Sequence, residues 1–223
     1  ASGAVVRKFV GSAERGINRA AWNLRTDASK TPRLEPPAEE RFTPQGPEVL
    51  PGTYTVRIKA GKAEDSTTVE VLADPRTTIP QSDRQAKFDL IKKVSQRLEV
   101  AAEAVDRIVA YRKVIDAVLA QAKGRSDDRV KTLRADAEKL RKKLSSVADR
   151  FIEEPNRVQG ITRNPNTVSV KLGSVLGSLR SSWDPPTSTQ ITNLRHAEAL
   201  LESALKEFNK VFREKKLPSK ITK

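Results

Sequence analysis

The side chains that most often carry catalysis are scarce in this 223-residue chain. It has no cysteine and one histidine, His196, which excludes a thiolate nucleophile, a disulfide framework and a multi-histidine metal centre. No nucleophile motif accompanies His196, which falls beside the apolar stripe of a predicted helix. We therefore interpret it as a surface or boundary residue rather than a general base.

Carboxylates are plentiful, but their spacing does not suit acid–base catalysis. The pairs Glu39–Glu40, Asp127–Asp128 and Glu153–Glu154 are adjacent in sequence. Neighbours on a helix or strand point in different directions, so these pairs are poor candidates for glycoside hydrolysis. The sequence also lacks a glycine-rich phosphate loop. We predict no active site, no metal and no cofactor, and hence that the chain is not an enzyme.

Two tryptophans could stack on the face of a sugar, but their surroundings favour packing. Trp22 alternates with Ala20 and Leu24 in a predicted strand, and Trp183 ends an amphipathic stripe. Large aromatic side chains at such positions usually lie against a core.

Basic charge is the one physical feature with functional content. The net charge is +14, of which +2 falls in residues 1–80 and +12 in residues 81–223. Such a surplus attracts an acidic protein, an anionic envelope or nucleic acid. Acids interleaved at helical spacing and the few aromatics to stack bases argue against nucleic acid. The predicted interaction surface comprises Arg112, Arg141, Lys142, Lys143, Arg213, Lys215 and Lys216.

The first of two predicted domains, residues 1–80, has the pattern of strands. Thr53–Ala60 alternates between apolar and polar residues, and Ser66–Leu72 follows after a short turn, which predicts a hairpin. Val5–Val10 and Ala20–Leu24 predict two further strands, and residues 26–48 form a long Pro-rich loop. Four strands predict a small antiparallel β-sandwich.

The second predicted domain, residues 81–223, is helical. In a heptad frame starting at Ile91, nine of the ten a and d positions are apolar. The exception, Arg112, can snorkel, pair with an acid or mark a docking point. The patterns predict helices near 84–123, 127–154, 168–182 and 188–215. Since a 40-residue helix is about 60 Å long, we expect an elongated antiparallel three-helix bundle, and the fold class is α+β in two domains.

Several segments resemble a known family. Gly16–Arg25, Leu50–Arg57, Asp74–Arg76, Gln85–Asp89 and Pro185–Gln190 are similar to the C-terminal region of bacterial exported sortilin-like proteins, which are BNR-repeat, glycosyl-hydrolase-like β-propellers. A related strand pattern occurs in the Ig-like domain of flagellar hook-capping proteins. The resemblance implies that the β-sandwich is Ig-like, that the protein is exported and that an upstream propeller is a partner. No Asp-box occurs here, so no catalytic residue carries over.

Three functions are compatible with these observations. The first is a non-catalytic interaction module that presents a basic helical surface to a protein subunit or to the envelope. The second is a protein that binds polyanions, either nucleic acid or anionic lipid. The third is an accessory domain of a glycosidase-like enzyme whose site lies outside this chain. No apolar run is long enough to cross a bilayer. The chain has no initiator methionine and no signal peptide, so we expect a processed product or a fragment.

Overall fold

A computed structural model describes residues 3–35, 45–125, 127–153 and 164–214. Its elements are two strands, β1 (Gly52–Ala60) and β2 (Ala63–Val71), and four helices, α1 (Gln81–Gln121), α2 (Asp128–Phe151), α3 (Val168–Arg180) and α4 (Ser188–Glu214). The helix bounds differ from those expected from the sequence by three residues at most.

The two strands form one antiparallel hairpin. Tyr54 lies opposite Val69, and Ala60 lies opposite Ala63 next to the turn. The turn itself is Gly61 and Lys62, and Gly61 has φ of +60°, a value that a type II′ hairpin turn requires at its first central position. The turn is therefore shorter than the predicted Gly61–Asp65 connection.

The predicted Ig-like β-sandwich is wrong. In the described N-terminal residues, 3–35 and 45–51, the only further β contact is a single bridge between Arg25 and Glu48. Val10 is 100% exposed and Ile17 is 92% exposed, so neither contributes to a core. An Ig-like domain needs about seven strands in two packed sheets. Alternating residues show that a strand would have an apolar face, but they do not show that a partner strand is available to cover it.

Trp22 provides the only aromatic cover of the hairpin among the described residues. Its ring lies edge-on to Tyr54, with ring centroids 5.4 Å apart. The indole N–H donates a hydrogen bond of 3.0 Å to the carbonyl oxygen of Arg25. Trp22 is half-buried, so it packs as expected but against a two-stranded sheet rather than inside a sandwich.

Local signals fix the starts of three of the helices. Asp127 caps α2 by accepting a hydrogen bond of 3.0 Å from the Val130 N–H, and Thr167 caps α3 by accepting one from Val170. Before α4, the Thr187 hydroxyl accepts from the Gln190 N–H, while the Gln190 side chain accepts from the Thr187 N–H. This reciprocal arrangement is a capping box.

All four helices contribute to one apolar core, so the predicted three-helix bundle is also wrong. Four residues of α3 are fully or almost fully buried, namely Val168, Leu172, Val175 and Leu179. Their spacing of three and four residues places them on one helix face, which packs against α1 and α4. The short helix is therefore a full member of the core, and the helices do not form a regular three-helix array.

The centre of the helical core is aromatic. Phe208 of α4 stacks on Phe212 at a centroid distance of 4.0 Å and meets Phe151 of α2 edge-on at 6.5 Å. Phe212 in turn meets Tyr111 of α1 edge-on at 5.3 Å. These contacts join α1, α2 and α4 at one level of the bundle.

An ion cluster joins α4 to α1 nearer the start of both helices. Glu198 accepts hydrogen bonds from Arg97, at 2.9 Å, and from Lys93, at 3.2 Å. Burial raises the pKa of Glu198, but the hydrogen bonds and positive charges of Arg97 and Lys93 outweigh it and hold the pKa below its ordinary value. Glu198 therefore favours the charged form in the folded chain.

Part of the predicted 26–48 loop packs on the helices. Lys30 forms an ion pair with Asp106 of α1, and Leu34 packs against the helical core. Residues 36–44 lie outside the described residues.

Substituting Phe208→Ala should destabilise the chain by about 3–5 kcal/mol, because the change removes a fully buried ring and leaves a cavity. Urea unfolding followed by circular dichroism measures this loss. The matched control, Leu133→Ala, removes a half-exposed side chain and should cost less than about 1 kcal/mol. Equal losses in the two variants would contradict the proposed core.

Substituting Glu198→Gln should destabilise the chain by about 1 kcal/mol at pH 7. The pKa of Glu198 is lower in the folded chain than in the unfolded chain, so its contribution is complete above the unfolded value of about 4.3. The difference between Glu198→Gln and the unmodified chain should shrink as the pH falls below about 4. Exposed Glu202→Gln is the control, and a pH-independent difference for Glu198→Gln would contradict the ion cluster.

Candidate interaction surface

The helical hairpin of α1 and α2 extends beyond the other two helices. The described part of α4 ends at Glu214, beside Lys143 of α2 and two residues past Phe212, which contacts Tyr111. Lys87 bonds the carbonyl oxygens of Ser182 and Asp184 just past α3, so the thirteen residues of α3, about 20 Å, lie along the first half of α1. Residues 112–143, which we call the tip, are therefore a two-helix hairpin in the described part of the chain.

The tip concentrates the positive charge of the helical half. It contains eleven lysines and arginines but only five aspartates and glutamates, a net charge of +6 in 32 residues. In comparison, residues 81–111 and 164–214 each have six basic and five acidic residues, a net charge of +1. The surplus of positive charge is therefore concentrated in the tip and in residues 215–223, which carry a net charge of +4, rather than spread along the helices.

About half of the tip cations form no ion pair. Arg141 pairs with Asp116 at 2.7 Å and Lys131 with Asp128 at 3.0 Å. Longer contacts join Lys143 to Glu214 at 3.7 Å and Arg125 to Asp127 at 4.0 Å. Within the described ranges, six exposed cations of the tip form no ion pair: Lys113, Lys123, Arg129, Arg134, Lys139 and Lys142. Of these six, only Lys142 belongs to the surface predicted from the sequence, and the other five were missed. The signal that could have identified them was the charge counted over the hairpin rather than over short basic runs.

The structure gathers five of the seven predicted surface residues near the level where α4 ends. Arg112 is half-buried and interacts with neighbouring groups. Lys143 pairs with Glu214 at 3.7 Å, and Lys142 and Arg213 are exposed. Successive residues of a helix point about 100° apart, so Arg141, Lys142 and Lys143 do not share one face. Lys215 and Lys216 lie outside the described residues.

The other candidates from the sequence remain apart from the tip. His196 is exposed on α4, and Trp183 is 47% exposed in the connection before it. In the described part of the chain, no group of three or more His, Cys, Asp or Glu side chains is placed to hold a metal ion. These residues therefore do not assemble into a second candidate site.

The tip also exposes apolar side chains. Val114 of α1 is 60% exposed and Leu133 of α2 is 50% exposed, and Leu133 lies fourteen residues before buried Val147. The tip thus combines unpaired cations with two exposed aliphatic side chains.

No family model, no curated protein and no solved structure matches this chain. The resemblance to sortilin-like and BNR-repeat proteins, and the export that it implies, therefore have no support from these comparisons and remain predictions. Among the described residues, no helix is both long enough and apolar enough to span a membrane.

The ion pair of Asp116 with Arg141 should contribute little to stability. Both side chains are about half exposed, and exposed pairs typically contribute less than about 1 kcal/mol. A double-mutant cycle with Asp116→Asn and Arg141→Gln should give a coupling energy of about 0.5 kcal/mol in urea unfolding. A coupling above about 2 kcal/mol would show that the pair is structural and that Arg141 is not available to a partner.

Proposed function

We propose that this chain is a non-catalytic interaction module whose basic tip binds an acidic protein partner. The observation that carries the proposal is the net charge of +6 on residues 112–143, where six exposed cations have no ion pair among the described residues. Clustered charge of one sign raises the rate of encounter with an oppositely charged partner and selects against partners of the same sign.

Two features favour a protein partner over a nucleic acid. The tip has no aromatic residue in positions 112–143, so it offers no platform on which bases could stack. It does expose Val114 and Leu133, which a protein partner would cover and a phosphate backbone would not. Binding to nucleic acid or anionic lipid through the same cations is the alternative.

The absence of catalysis is part of the proposal, and it rests on the composition of the chain. A single exposed histidine and the lack of cysteine leave few groups for nucleophilic or general-base chemistry near neutral pH.

Reversing the charge of three tip cations should weaken binding to an acidic polypeptide. The triple variant Arg134→Glu, Lys139→Glu and Lys142→Glu lowers the net charge of the tip from +6 to zero. We expect fluorescently labelled poly-glutamate to bind the unmodified chain at low ionic strength and the triple variant about tenfold more weakly or worse. Fluorescence anisotropy measures both affinities.

A matched variant controls for total charge. Lys171→Glu, Arg195→Glu and Lys206→Glu change three exposed cations of α3 and α4 by the same amount, and binding should change less than about twofold. Equal losses in both variants, or no binding by the unmodified chain, would contradict the proposal. Tighter binding of a DNA duplex or of phosphatidylglycerol vesicles than of poly-glutamate would favour the alternative.

A further inference from the structure

We propose that the groove between α1 and α2 on the tip binds an acidic amphipathic helix from a partner protein. The inference rests on the proposed function, because it assumes that the tip is a protein-binding surface, and it adds the chemistry and shape of the partner segment. The argument starts from the way in which α4 occupies the same groove farther down the bundle.

α4 lies in this groove with a defined direction. Its Glu198 bonds Arg97, and its Phe212 contacts Tyr111, so residue numbers rise together along α4 and α1 and the two helices are parallel. Its Glu207 pairs with Arg150 and its Glu214 with Lys143, so α4 runs antiparallel to α2. The described part of α4 stops at Glu214, while α1 continues to Gln121 and α2 comes from Asp128.

The apolar lining of the groove continues beyond that point. Val114 and Val118 lie three and seven residues past Tyr111, and such spacings share a helix face. On α2, Leu140 and Leu133 lie seven and fourteen residues before buried Val147, again on one face. Val114 and Leu133 are the most exposed apolar members of these two rows, and they lie at a level that the described part of α4 does not reach.

The open stretch has room for about three turns of helix. The ten residues from Arg112 to Gln121 rise about 15 Å along the axis of α1. Helices of this length are marginal in isolation, so we expect the occupant to belong to a folded partner or to become helical as it binds.

Charge selects an acidic occupant. α4 places Glu207 and Glu214, seven residues apart, against Arg150 and Lys143 of α2, at 3.7 Å in each case. The same stripe of α2 continues with Lys139, four residues before Lys143, and Arg129, fourteen residues before Lys143, with one acid, Asp136, between them. Neither Lys139 nor Arg129 has an ion-pair partner among the described residues, so a helix that extends the path of α4 gains by presenting glutamates on this side.

Two other occupants are disfavoured by charge. Residues 215–223, which follow α4, contain four lysines and no acid. A second copy would bring a tip of the same net charge, +6. Either occupant would bring further positive charge to the tip and increase the electrostatic repulsion among its cations.

The test uses the full chain with a single reporter. Because the chain has no cysteine, Thr132→Cys can carry one environment-sensitive fluorophore beside Leu133, and Ala120→Cys can carry it on a different face of α1 as a control. The ligand is a synthetic helical peptide with leucines at i, i+3, i+4 and i+7 and glutamates on both flanks. We expect a saturable blue shift from the label at 132, and little change from the label at 120.

Matched peptides and variants define the specificity. A peptide of the same composition in permuted order, and one with lysine in place of glutamate, should not produce the shift. Leu133→Gln should weaken peptide binding about tenfold, whereas Leu72→Gln, an equivalent change of an exposed leucine after β2, should not. Since Leu133 is half exposed, circular dichroism should show that its variant stays folded.

Other outcomes would overturn the inference. Equal binding of the ordered and permuted peptides, or an unchanged affinity of Leu133→Gln, would exclude a helix in this groove. A shift that grows with protein concentration without peptide, together with dimers in sedimentation, would show that a second copy is the occupant. A label at 132 that is already shielded from iodide in the monomeric chain and does not respond to peptide would indicate occupation by the chain itself.

The inference and the proposed function fail in different ways. Suppose that poly-glutamate binding depends on the three tip cations but that Leu133→Gln binds the acidic peptide as tightly as the unmodified chain does. The tip is then a charged surface without a groove for a helix. If neither poly-glutamate nor the acidic peptide binds, the proposed function fails as well.

Discussion

The apolar seam of α1 is the constraint on which the rest of the helical structure depends. Ile91, Val94, Leu98, Val105 and Ile108 are buried, and the seam continues through Ile115 to Ala122. A seam of this length, about 45 Å, must be covered by other helices because exposed heptad positions would cost hydrophobic free energy. In the described part of the chain, α3 and α4 cover its first part, and α2, which runs back from the loop after α1, covers its end. The mismatch in helix lengths creates the tip.

The difference in helix length also determines which cations are paired with acids and which are solvated. Along the first part of α1, acids from α4 lie close enough to pair with its cations, as Glu198 does with Lys93 and Arg97. At the tip no third helix supplies acids among the described residues, so most cations are solvated. Solvated cations on a helix cost little in folding, and they remain available for a partner. The charge on the tip is thus compatible with the stability of the hairpin without being required by it.

The helices and the β region differ in how far sequence patterns define their surroundings. A helix satisfies its own backbone hydrogen bonds, so heptad spacing and capping residues such as Asp127 and Thr187 were sufficient to place the helices. A strand needs a neighbour for its hydrogen bonds. Only Thr53–Ala60 and Ser66–Leu72 had such a neighbour close in sequence, and the expected strands at Val5–Val10 and Ala20–Leu24 did not form. Burial of α3 made the helical core four-membered, a result that depended on packing rather than on periodicity.

By itself, the sequence determined the helix bounds, the hairpin, the scarcity of catalytic groups and the surplus of positive charge, because each of these depends on local composition or spacing. Tertiary structure decided where on the molecule the surplus of positive charge lies without acids packed against it. Only the position of Glu214 beside Lys143 shows that, among the described residues, no third helix packs along residues 112–143, and only the path of α4 relates Val114 on α1 to Leu133 on α2. The physical reason is that residues distant in sequence share a surface only after the helices pack, and helix lengths set where that packing stops.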